Sequence, residues 1–209
     1  MRPDPNGFSV VLVGSWNKAI FSPAWLKAQL GVTTDIGIEF AVGHPTMPTR
    51  LVFENVALQV NDNRLVVAPL TLDNDNLSKV ESICIKLLET LCHTPLSAVG
   101  VNFMYVEERP SRELLAFFDG EDMNILSDAG AVVGSSVIQR NVRYEDYTIH
   151  IKSILDERGA IRFDFNFHNN VSTGAAARAA IADKVAPMHT LALGLLGRYP
   201  GVTMGEDND

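Results

Sequence analysis

The sequence predicts an α+β protein: an antiparallel sheet with long helices packed on one face, built as two hairpin-plus-helix halves. Three observations carry this reading. Hairpin strands, a short polar loop and a long amphipathic helix occur in that order over residues 50–92, and again over 147–198. Within each set the strands are joined by turn-forming residues, Asn61-Asp62-Asn63 in one and Asp156-Glu157-Arg158-Gly159 in the other, as antiparallel pairing requires. A parallel doubly wound sheet needs strand and helix to alternate throughout, and the two hairpins interrupt that alternation. Residue-by-residue identity does not link the two sets, so the relation is an echo of pattern.

Taken in order, residues 8–13 are a strand closed by Gly14-Ser15. Ser22 and Pro23 open a short helix to Leu30, with proline in its tolerated first turn and Gly31 as the stop. Ile36, Ile38, Phe40 and Val42 have the period of a half-buried strand, and residues 44–48 are a loop. Residues 50–60 and 64–72 make a hairpin around Asn61-Asp62-Asn63. The helix over 76–92 carries Leu77, Val80, Cys84, Leu87 and Leu91 on one stripe, with Ser78 and Glu81 spaced as a capping box. Pro95 ends it, and 99–106 is a strand. Residues 110–118 read as a short helix and 120–128 as a loop. Strands follow at 132–142 and 147–155. The clearest strand is 161–167, where Ile161, Phe163, Phe165 and Phe167 alternate with polar residues. Ser172 or Thr173 caps a long helix to Arg198, kinked by Pro187.

This pattern divides the chain into an N-terminal half (1–108), an acidic connecting segment (109–129), a C-terminal half (130–200) and a disordered acidic tail (201–209). With 209 residues, 46% of them hydrophobic, a chain of this size buries about 70% of its extended surface and needs no staples. Two cysteines make no disulfide framework, and no Cys/His group has zinc spacing. The formal charge of −8 argues against nucleic acid or an anionic membrane as the main partner. The first residues lack the basic start and apolar run of a signal peptide. The apolar stretch 185–197, broken by Pro187 and His189, falls short of the roughly 20 residues of a membrane span. A cytoplasmic location is the expectation.

One resemblance adds to this. Val52-Phe53-Glu54-Asn55, the hairpin ending Leu65-Val66-Val67, the helix at 77–92 and Val99-Gly100-Val101-Asn102-Phe103 resemble an uncharacterised, sporadically distributed bacterial protein family. The similarity covers the first half. It implies a bacterial or mobile-element origin and supplies no activity, cofactor or site residue.

Motifs for nucleophile elbows, phosphate loops, dinucleotide folds and zinc proteases are missing from the sequence. Ser15 and Ser135 follow glycines but lack the second glycine of an elbow. Three weaker candidates remain. Asp164, Asn166 and His168 share one side of a strand, and His150 falls on its neighbour; a carboxylate with two imidazoles can bind a ligand or metal or act as acid and base. The same residues equally suit the solvated face of an antiparallel sheet. Ser172, Thr173 and Gly174 before a helix, with Arg178 one turn in, suit either an anion site or an ordinary cap. Residues 107–128 hold seven acids and two arginines, which with the tail account for the whole net charge. Leu114, Phe117, Phe118 and Met123 within that segment would either dock a basic, apolar partner or close the protein's own core.

The reading reached is a non-enzymatic binding or assembly module acting through self-association or a protein partner. Its rival is a ligand- or metal-binding domain or enzyme on the Asp164/Asn166/His168 face with His150. Catalytic residues, metals and cofactors are not assigned. The apolar sequence of 175–196 points to a homodimer contact.

Overall fold

Alternation sets the sheet. Phe163, Phe165 and Phe167 are buried while the polar residues between them reach the opposite side, and Val99, Val101, Phe103 and Tyr105 repeat the period on the adjacent strand. The computed structural model describes residues 1–40, 49–120, 125–126 and 128–204. Its strands are β1 (Arg2–Pro3), β2 (Ser9–Gly14), β3 (Gly37–Glu39), β4 (Arg50–Phe53), β5 (Val56–Val60), β6 (Arg64–Pro69), β7 (Leu96–Glu107), β8 (Ser136–Tyr144), β9 (Tyr147–Leu155) and β10 (Ile161–Asn170). The helices are α1 (Pro23–Leu30), α2 (Asn74–Thr90), α3 (Arg112–Leu115), α4 (Gly174–Ile181) and α5 (Val185–Leu196). All the strands join one sheet in the order β3-β4-β5-β6-β2-β7-β10-β9-β8, with β1 paired to the far end of β7. Every pairing is antiparallel. α2, α4 and α5 cover one face, so the α+β architecture is the expected one.

The strand order is a palindrome. β4-β5-β6-β2 on one side is matched by β8-β9-β10-β7 on the other. The registers match as well. Phe53↔Val56 closes the first tight turn and Tyr144↔Tyr147 the second, an offset of 91 residues. The same offset carries Val10 onto Val101, and these two residues are paired with each other at the centre of the sheet. Val10 also pairs with Val67, and Val101 with Phe167, an offset of 100. That second offset holds for the N-caps Asp73 of α2 and Thr173 of α4. The chain is therefore two register-matched units related about the Val10–Val101 pair. By this correspondence β7 opens the second unit, whereas the sequence assigned it to the first. One continuous hydrophobic core spans both.

Local corrections have local causes. Residues 50–60 are two strands, because Glu54 and Asn55 both take left-handed backbone (φ 49° and 63°) and turn the chain. The alternating run at 36–42 is a strand only over β3, with Ile38 and Phe40 exposed and 41–48 outside the described residues. α2 begins earlier than expected: Asp73 accepts the Asn76 N–H at 2.8 Å, and this bond holds its carboxyl below the usual range. The long C-terminal helix is two helices. Asp183 takes left-handed backbone (φ 59°) between α4 and α5, and Pro187 sits in the first turn of α5, where proline breaks nothing. Glu81, read as part of a capping box, instead reaches across to that break.

Candidate functional site

The face of the sheet away from the helices carries the expected polar side chains. In register across β9, β10 and β7 stand His150, Asn166 and Asn102, then Thr148, His168 and Gly100, then Lys152, Asp164 and Met104. Asn166 is the centre. Its Nδ2 donates to Asn102 Oδ1, and Asn102 Nδ2 donates to Ser9 Oγ at 3.2 Å, a relay over three strands. Gly100 makes room for it, since a Cβ there would stand 2.9 Å from Asn166 Nδ2. The rings of His150 and His168 stack, centroids 5.2 Å apart and 18° from parallel, with His168 Nε2 3.1 Å from Asn170 Oδ1.

Asp164 does not join this group. Its carboxylate is clasped by Arg162 two residues away, Nε to Oδ1 at 3.0 Å and Nη2 to Oδ2 at 3.1 Å. Burial raises its pKa, and Arg162 and Lys152 only partly offset that. Among the described residues, no group of three or more His, Cys, Asp or Glu side chains is placed to hold a metal. The fold thus brings His150 to His168, while the Asp164 carboxylate is paired with Arg162. Clefts of about 620 and 530 Å³ lie elsewhere, the first under the β8–β9 turn against α5, the second between α1 and α2.

The other candidates are absorbed by the fold. Thr173 Oγ1 caps α4 by accepting the Ala176 N–H at 3.1 Å, and Gly174 packs against the carbonyls of Leu88 and Cys92. Arg178 turns onto α2 and pairs with Glu89 at 2.8 Å, while Ser172 is exposed beside the cap. Thr173 and Arg178 are thus engaged within the fold, one with the helix's own N–H and the other with Glu89. Leu114 and Phe118 are buried in the core, and Phe117, half-buried, packs edge-on against Tyr199, so these three close the protein's own core. Met123 lies outside the described residues. On α5, Leu191, Leu193 and Leu195 are half-buried against the core, and the outward positions are Pro187, Thr190 and Gly194. That outward stripe is too small-faced to demand the dimer cover its sequence implied.

The feature that sequence did not single out is an edge. β8 is nine residues long and, among the described residues, pairs with β9 alone. A two-residue turn closes on a hydrogen-bonded pair, here Tyr144 and Tyr147, and such pairs then alternate along the ladder. The N–H groups of Val137, Gln139, Asn141 and Arg143 therefore point to the free side. The strand contains no proline, and Val137 is 54% exposed. Unpaired edges of this kind are templates for another strand. At the other end of the sheet, β3 offers only three residues. No helix among the described residues is long and apolar enough to cross a membrane. No protein-family model matches the chain, and no curated protein matches it.

Proposed function

We propose that this protein is a non-enzymatic binding module that receives an extended protein segment, from a partner or a second copy, on the free edge of β8. The observation that carries the reading is the unpaired nine-residue strand. Main-chain hydrogen bonds supply affinity in strand addition, and alternate side chains supply choice. The module belongs in the cytoplasm on this reading, and its two unbridged cysteines fit a reducing compartment.

The test replaces Asn141 by proline, which removes one outward N–H and leaves the β9 ladder intact. A short Val/Thr strand peptide should slow hydrogen exchange of the Val137, Gln139, Asn141 and Arg143 amides in the parent, and fail to slow the three that remain in Asn141→Pro. If these amides stay unprotected and light scattering gives a monomer mass at micromolar concentration, the reading is wrong.

A second reading rests on the stacked His150 and His168 rings. Two imidazoles supply half of a tetrahedral metal set. Zinc or nickel should then raise the Tm of the parent and not of His168→Ala; an unmoved parent removes this reading.

A further inference from the structure

Resting on the strand-addition reading, we infer that the segment β8 receives is acidic, an extended stretch alternating carboxylates with apolar residues and lying antiparallel to β8. The first unit of the molecule shows that this edge takes an antiparallel strand. β4 holds the position there that β8 holds in the second unit, and β4 is already covered. β3 lies antiparallel on it, with Gly37 opposite Val52 and Glu39 opposite Arg50. Glu39 and Arg50 form an ion pair of 3.3 Å across that seam. The 91-residue offset carries Arg50 and Val52 onto Asn141 and Arg143, where no strand is paired among the described residues.

Charge decides the occupant. β8 carries Arg140 and Arg143 and no acid, in a chain whose net charge is −8. Arg143 is exposed, on the open face of the sheet, and makes no ion pair among the described residues. Arg140 points to the helix side, 5.4 Å from the Phe117 ring centre, which leaves its charge unneutralised. Glu145 and Asp146 sit in the turn past the strand's end, so a carboxylate is favoured along the strand and not beside the turn. A second copy fits less well. Two β8 strands laid antiparallel in full overlap put Arg140 opposite Arg140, and like charges directly opposite repel.

The experiment titrates the full chain with three peptides, Val alternating with Glu, with Gln or with Lys, and follows β8 amide shifts by NMR. The Glu peptide should move the amides of Val137, Gln139, Asn141 and Arg143 at about tenfold lower concentration than the Lys peptide. That gap should shrink in about 0.5 M salt. Arg143→Glu should abolish or reverse the preference. Equal potency of all three peptides overturns the acidic assignment and leaves the edge as a docking strand. Failure of all three to move these amides overturns the strand-addition reading itself.

Discussion

Glu81 on α2 caps α5: its Oε2 accepts the Val185 N–H at 3.0 Å, and the same carboxylate takes the N–H groups of Asp183 and Lys184. A helix start leaves N–H groups without intrahelical partners, and a carboxylate there also meets the positive end of the helix dipole. The two C-terminal helices, which lie on β7 of the second unit, are thereby fixed to α2, which packs on β2, β5 and β6 of the first.

Glu81→Ala should therefore cost about 1–2 kcal/mol in urea unfolding, the range of a lost cap with its donors left unpaired. Ser78→Ala, at the position the sequence proposed as the cap, should stay within about 0.5 kcal/mol of the parent, as exposed substitutions do. Equal losses from the two would place the cap where the sequence put it.

Gly100 and Asn166 form a coupled pair. Gly100→Ala pushes the Asn166 amide off Asn102, and the lost bond outweighs the gain in chain entropy, for a net cost of about 1 kcal/mol. With Asn166→Ala already present the obstruction is gone, and the same change should stabilise by about 0.5 kcal/mol. A double-mutant cycle reads the difference. Additive effects would mean that the amide is not held over Gly100.

Much of this fold was legible because alternation and capping are local. The Phe163, Phe165, Phe167 period gave β10, and Ser22-Pro23 with Gly31 gave α1, each from a few adjacent residues. The echo of hairpin and helix was legible as a pattern, but its register match was not, since Leu65 and Val67 correspond to Phe165 and Phe167, and any apolar residue satisfies those places. Glu81 was misread for a related reason. Its partners lie over a hundred residues away, and spacing along α2 cannot reveal them. The polar strand face was read correctly as a set of positions, but its pairings were not. Arg162 is only two residues from Asp164 on the same side, and it claims the carboxylate that the sequence assigned to a ligand group. The β8 edge was invisible because a strand's place in the sheet depends on which neighbours it lacks.

His189 on α5 packs its ring against Phe8 and Phe103, and its Nε2 is buried with no partner among the described residues. Burial lowers its pKa below the usual histidine value. The unfolded chain then binds a proton that the folded chain resists. Stability should be full above the unfolded value near 6.5 and fall as pH drops below it. His189→Leu should flatten the difference between pH 7 and pH 5 measured by urea midpoints. An unchanged slope would show that carboxylates elsewhere cause the acid loss.

Tyr105 makes the sharpest test of the core. Its side chain is fully buried on β7, between the Phe8 and Phe165 rings at 5.7 and 6.0 Å, and its hydroxyl has no partner among the described residues. Burial pushes the phenol well above its usual range, so the group stays neutral at every working pH. A buried hydroxyl without a hydrogen bond costs about 1–3 kcal/mol on protein scales. Tyr105→Phe keeps the ring and both edge-on contacts while removing that cost. It should leave stability unchanged or raise it by about 1 kcal/mol. Tyr105→Leu loses ring contacts and leaves a cavity, and should cost about 2 kcal/mol or more. The pair separates packing from polarity: a loss in Tyr105→Phe as large as in Tyr105→Leu would mean that the hydroxyl is hydrogen-bonded in solution, with a buried water as the natural partner.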